Sequence, residues 1–210
     1  MTTITCYLDF ISPYAYLAFE ALPQQLMGVN HRMIYKPVLF AGMLKHHGQL
    51  GPAEIPGKRE WTYRQVLWHA RQLKIPMDMP HAHPFNPLPL LRLAVACSQD
   101  GRPNRYVCET IFRHVWRGAA PADDAQRLRA LTELLVPPRH PDDTEVKAQL
   151  RANTDEAIAR GVFGVPTFLV DDQVFWGLDA LPMLRAYLDV DPWFQGPWQD
   201  VARVTQGVRR

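Results

Sequence analysis

The chain lacks a Cys-x-x-Cys pair, and that absence removes a class of chemistry. Its three cysteines, Cys6, Cys97 and Cys108, are odd in number and widely separated. Exchange at a paired dithiol site needs an attacking thiolate and a resolving partner, so it is excluded. A disulfide framework is not expected either, which fits a reducing compartment. No apolar run is long enough to span a bilayer. The first ten residues lack the basic and apolar regions of a secretory signal, so a cytoplasmic location is expected. No block of lysine or arginine occurs, and the formal net charge is only +2. Nucleic acid and anionic membrane surfaces are therefore not expected partners, and Arg209-Arg210 reads as a solvated tail. Internal repeats and low-complexity segments are absent too. What is present is material for a core, since 47% of the 210 residues are hydrophobic, which argues against global disorder.

Residues Ile4 to Phe10 alternate and are β-prone, so they read as a strand. Ser12-Pro13 then offers an N-cap followed by a proline at the first helical position. Leu17, Ala18, Ala21 and Leu22 share one face of the ensuing helix, which Pro23 is expected to kink or end. Met33 to Phe40 reads as a second strand, with Pro37 marking a bulge or a sheet edge. A right-handed β-α-β unit with parallel pairing follows. From Gly42 to about Asp143 the pattern is mostly helical, with helices over Trp61–Leu73, Leu90–Ser98, Tyr106–Trp116 and Asp123–Leu135. Gly51–Gly57 reads as a loop, and Pro76–Pro89 as an ordered irregular segment. Thr144 to Arg160 is a charged amphipathic helix with Gly161 as its C-cap. Val165–Val170 and Val174–Trp176 flank an Asp-Asp-Gln turn as a β-hairpin. A last helix covers Asp179–Leu188, and Trp193 and Trp198 lie in a tail that packs on the domain or on a partner. The expected class is α/β: a thioredoxin-like unit over 1–42 and 144–190, an all-helical insertion over 43–143, and a C-terminal tail over 191–210.

Two places carry chemistry. Asp9-Phe10-Ile11-Ser12-Pro13-Tyr14 puts a hydroxyl at a strand-to-helix junction, where unpaired N–H groups and the helix dipole favour an anion such as a thiolate. A hydroxyl hydrogen bond to charged sulfur contributes roughly 1.5–3 kcal/mol, enough to lower a thiol pKa of ~8.5 by about one to two units. Read alone, Ser12 fits a plain helix cap better. In Gly164-Val165-Pro166-Thr167 the proline is a candidate cis residue, leaving Val165 free to pair with an extended peptide. A plain turn proline fits that stretch equally well. His46-His47 and His81-Ala82-His83 match no metal-ligand spacing, so no metal is expected. Cys6 reads as buried packing. Trp61, Trp68 and Trp116 read as core or pocket lining, and an aromatic pocket would suit a bicyclic substrate.

Taken together, five stretches resemble the kappa-class glutathione transferases and, more closely, the 2-hydroxychromene-2-carboxylate isomerases of the DsbA-like branch of the thioredoxin superfamily. They are Asp9–Tyr14, Lys36–Gly42, His83–Leu88, Gly161–Phe168 and Phe175–Asp179. The resemblance covers the whole chain. It implies a glutathione-dependent cis-trans isomerase acting on an aromatic or unsaturated carboxylic acid, with glutathione as cofactor. By the same resemblance Ser12 hydrogen-bonds the glutathione sulfur, Val165 beside Pro166 pairs with the cysteinyl backbone, and Asp179 holds the γ-glutamyl end. Lys58 aligns with a lysine on the glycine carboxylate, and Gln49 falls where kappa enzymes have asparagine. Leu178 replaces a usually polar residue, and Asn86 and His83 fall on the substrate side. The alternatives are a kappa-like transferase that forms a stable conjugate and a non-catalytic DsbA-like binding module. The resemblance also admits a homodimer.

Overall fold

The computed structural model describes residues 1–205 and 207, so Arg209-Arg210 lies outside the described residues. Four strands form one sheet: β1 (Thr2–Leu8), β2 (His31–Pro37), β3 (Thr167–Val170) and β4 (Gln173–Trp176). Their order is β2-β1-β3-β4. β1 runs parallel to β2, with Tyr7 opposite Lys36, and antiparallel to β3, with Cys6 opposite Phe168. β3 and β4 form the hairpin, Phe168 opposite Phe175. Pro37 closes an edge strand, where its missing N–H leaves no ladder position unpaired.

Strand alternation divides the core into two layers. Ile4, Cys6 and Leu8 of β1, with Phe168 and Phe175, face one cluster. Helix α1 (Pro13–Gln25), helix α5 (Arg105–Trp116) and helix α8 (Leu181–Leu188) contribute to the same cluster. Tyr7 and Leu169 face the other side, against Met43 of α2 (Phe40–His46) and Ala157 of α7 (Thr144–Ala159). Between α2 and α7 the chain builds α3 (Pro56–Leu73), which packs on α1, and α4 (Leu88–Ala96) and α6 (Ala125–Leu135), which pack on α5. Gly161, with φ +77°, follows α7 where the sequence places its C-cap. α3 starts earlier than its periodicity suggests. Pro56 supplies a favourable first helical position, so Gly57 lies inside the helix.

At two places the structure corrects or completes the sequence reading. α1 continues through Pro23 to Gln25. Proline at position 23 removes the N–H that would bond the Phe19 carbonyl. Both terminal nitrogens of Arg105 on α5 donate to that carbonyl instead, at 3.3 and 3.4 Å, with the guanidinium 4.2 Å over the Phe19 ring. The tail, for its part, packs on its own domain. Trp198 on α9 (Pro197–Asp200) stacks on Phe175 at 5.8 Å and donates from its indole to Gln173 at 2.7 Å.

Replacing Arg105 with alanine leaves the Phe19 carbonyl buried without a donor. It should lower the unfolding free energy in urea by about 1–3 kcal/mol. In a Pro23→Ala background the loss should shrink, because the substituted residue supplies its own N–H. Equal losses in both backgrounds would contradict the compensation.

Candidate active site

The loop from β1 to α1 sets the position of Ser12. Its backbone groups are met almost wholly by buried partners. The Asp9 carboxyl accepts from the Ile11 amide at 3.1 Å, and its other oxygen accepts from the Phe40 amide, at the start of α2, at 2.9 Å. The Trp116 indole donates to the Phe10 carbonyl at 3.0 Å, and His83 Nε2 lies 2.8 Å from the Ile11 carbonyl. Ser12 then caps α1, its Oγ accepting from the Ala15 amide at 3.2 Å, with Pro13 in the first turn. Ser12 is thus a helix cap. The sequence alone favoured that reading, and the cap is also what aims the hydroxyl.

Facing it, the Val165-Pro166 peptide bond is cis. Its Val165 carbonyl is not free, contrary to expectation: the Ser12 hydroxyl donates to it at 3.3 Å. The Val165 amide donates to no acceptor among the described residues. The turn ahead of it is held by Thr167, whose hydroxyl donates to the Gly164 carbonyl at 2.7 Å. Gly164 lies so close under Trp176 that a Cβ there would stand 2.5 Å from the indole nitrogen. The Gly177 amide donates to the Pro166 carbonyl at 2.9 Å, which brings Gly177, Leu178 and Asp179 alongside.

A cavity of about 1180 Å³ opens at this junction, and its wall is mostly apolar. It gathers Ser12, Gln49, Lys58, His83, Val165, Leu178 and Asp179 from separate stretches of sequence. Lys58 and Asp179 enter no ion pair within 4.0 Å among the described residues. Pro166 stands behind Val165 and is buried. Asn86 is not brought to the wall. It is exposed, and its side chain accepts from the Leu88 amide at 3.1 Å, which orders the start of α4. Of the three tryptophans, Trp61 lines the cavity and Trp116 is fully buried. Trp68 is neither: it points outward from α3, under the Arg71 guanidinium at 5.7 Å.

Sequence reading missed several wall residues. Phe163 and Trp176 meet edge to face at 5.0 Å and form a half-exposed aromatic lip. Gln65 lies in the wall with Trp61, while Trp68 does not. Tyr14, Gln65 and His69 complete one end of it. His83 shows a ring face. Its Nδ1 meets the Tyr63 hydroxyl at 2.9 Å while Nε2 meets Ile11, so both nitrogens are engaged.

Burial dominates the electrostatics. It pushes the Cys6 thiol up to about 12 and Cys97 to about 11, and Cys108 also rises. None of the three lines the cavity. Burial also lowers His83, against a raising contribution from the Ile11 carbonyl. Asp9 is pushed up to about 7 by burial, although the amides of Phe40, Ile11 and Phe10 favour its charged form. A carboxyl raised in the folded state binds a proton there that the unfolded chain releases. Its contribution is therefore fully present below about pH 4 and lost as pH rises toward 7.

Residues 3–189 match the DSBA-like thioredoxin domain family, and the chain belongs to that family. It is 29% identical over 214 residues to glutathione S-transferase kappa 2 of Caenorhabditis elegans, across 92% of this chain and 94% of that protein. It is 29% identical over 199 residues to 2-hydroxychromene-2-carboxylate isomerase of Sphingobium xenophagum, across 89% and 97% respectively. A solved 2-hydroxychromene-2-carboxylate isomerase superposes with a TM-score of 0.77 at 21% identity, over 97% of this chain and all of that one. That likeness establishes the shared fold.

The protonation of Asp9 is measurable. From pH 4 to pH 8 the unfolding free energy of the wild type should fall relative to Asp9→Asn by roughly 4 kcal/mol at most, at ~1.36 kcal/mol per pH unit between the two pKa values. A constant difference between the two proteins over that range would contradict a raised Asp9.

Proposed function

We propose that this protein is a glutathione-dependent isomerase of the 2-hydroxychromene-2-carboxylate type, acting on an aromatic or unsaturated carboxylic acid. One observation carries the reading: the Ser12 hydroxyl rests on the Val165 carbonyl, beside an unused Val165 amide, at the mouth of a large apolar cavity. A backbone amide and carbonyl on one residue are what a short peptide needs for strand-like pairing. The carbonyl is held by a side chain that can turn away. Lys58 and Asp179, neither ion-paired among the described residues, supply opposite charges for the two ends of such a peptide. The protein's own thiols are buried or away from the cavity, so a sulfur nucleophile there must be brought in.

Glutathione, when bound, supplies a thiolate that adds to an electron-poor conjugated carbon and leaves after bond rotation, so it is not consumed. The residues act around it. Val165 gives up the Ser12 hydroxyl and pairs with the cysteinyl backbone. The freed Ser12 hydroxyl turns to the sulfur, while the Ala15 amide keeps its oxygen in place. The α1 N-terminus favours the negative charge. Lys58 and Asp179 hold the glycine carboxylate and the γ-glutamyl ammonium, and Gln49 joins Lys58 at the carboxylate. Phe163, Trp176, Phe85 and the ring of His83 enclose a planar aromatic substrate and exclude water.

The second reading is a transferase that ends in a stable thioether, and it is favoured by the similarity to kappa-class enzymes over nearly the whole chain. Incubation with glutathione and a chromene carboxylate separates the two. The isomerase reading expects the isomerised acid with all glutathione recovered. A thioether product would establish the transferase, and binding without turnover a non-catalytic module. Ser12→Ala should lower kcat about 10- to 100-fold with little change in the KM for glutathione, because the hydrogen bond acts on the charged sulfur. A pure KM effect would contradict that role.

A further inference from the structure

The zwitterionic end of a γ-glutamyl group needs an acceptor for its ammonium and a donor for its α-carboxylate. Asp179 provides the first, and its neighbour Leu178 has no side-chain donor to provide the second. Across the cavity, α3 turns one face to the interior, with Lys58, Thr62, Gln65 and His69 all in the wall. On that face Gln65 is fixed in a particular way. Its Oε1 accepts a 2.6 Å hydrogen bond from the Tyr14 hydroxyl. This uses the acceptor side of the amide, so the Nε2 donors are turned away from Tyr14. They have no partner among the described residues.

Tyr14 links this amide to Asp179. It lies in the second position of α1, beside Ser12, and lines the same cavity. Burial and, after it, the Asp179 carboxylate raise its phenol, and Tyr14 and Asp179 line the same cavity. On the other side, the His69 ring meets Tyr14 edge to face at 6.5 Å. The spacing along α3 also fits. Lys58 and Gln65 are seven residues apart, about 10.5 Å along the helix axis at ~1.5 Å per residue. An extended tripeptide spans roughly 10–11 Å.

We propose that Gln65, oriented by the Tyr14 hydroxyl, donates to the α-carboxylate of the γ-glutamyl residue opposite Asp179, and so selects thiols that end in an intact amino-acid group. Gln65 is then a ligand-contacting residue and Tyr14 a positioning residue. The inference rests on the glutathione reading above.

Isothermal titration of wild type, Gln65→Ala and Tyr14→Phe with two ligands tests it. The ligands are glutathione and 4-aminobutyryl-cysteinylglycine, which lacks only the α-carboxylate. Wild type should bind glutathione about 10- to 100-fold more tightly than the analogue, the range of a hydrogen bond to a charged group. Gln65→Ala should lose that preference by weakening glutathione alone. Tyr14→Phe, which keeps the ring and frees the amide to turn, should lose part of it. Equal weakening of both ligands in Gln65→Ala, or no preference in the wild type, would overturn the assignment while leaving the glutathione site standing. Failure of wild type to bind either ligand would overturn the glutathione reading itself.

Discussion

The site depends on how the four residues from Asp9 to Ser12 satisfy their backbone. This stretch leaves a central strand and enters a helix beneath other elements, where an unpaired N–H or C=O costs about as much as a lost hydrogen bond. The Ile11 amide is met by the Asp9 carboxyl, itself clasped to Phe40, while the Phe10 and Ile11 carbonyls are met from two remote places, by Trp116 of α5 and by His83 from the irregular segment before α4. The helices between β2 and α7 therefore do more than enlarge the molecule. They hold the turn that presents Ser12, while α2, α3 and the segment around His83 wall the cavity that Ser12 lines.

Asp9 shows what this arrangement costs. Its carboxyl joins two chain segments by accepting hydrogen bonds from the Ile11 and Phe40 amides but lies in surroundings that oppose its charge, and its pKa of about 7 reflects the balance. An asparagine could serve one of the two amides well and would face the other with N–H hydrogens. A buried carboxyl is the group that accepts from both.

How far the sequence reveals all this varies by residue. Ser12-Pro13 and Val165-Pro166 were legible because each is a local signal, a cap and a proline turn, and their order along the chain supported a single sheet. Lys58 and Asp179 as site residues came from the resemblance alone. The continuation of α1 through Pro23 was hidden, because its compensation comes from Arg105, 86 positions beyond the Phe19 carbonyl it serves. Asn86 was placed with the substrate side by its motif, yet its side chain accepts from the Leu88 amide at the start of α4. The engagement of Val165 by Ser12 could not be read at all, since it joins residues 153 positions apart. Gln65 and the Phe163–Trp176 lip were invisible for the same reason: which face of an element meets a cavity is decided by tertiary packing, not by spacing.

In the proposed function, activation of glutathione comes down to one hydroxyl exchanging a carbonyl for a sulfur. An ultraviolet titration of glutathione bound to the protein, following thiolate absorbance with pH, tests this most directly. The expected result is a thiol pKa about one to two units below the ~8.5 of a free thiol, restored most of the way by Ser12→Ala. Bound glutathione that titrates like the free thiol, or that is unaffected by removing the Ser12 hydroxyl, would contradict it.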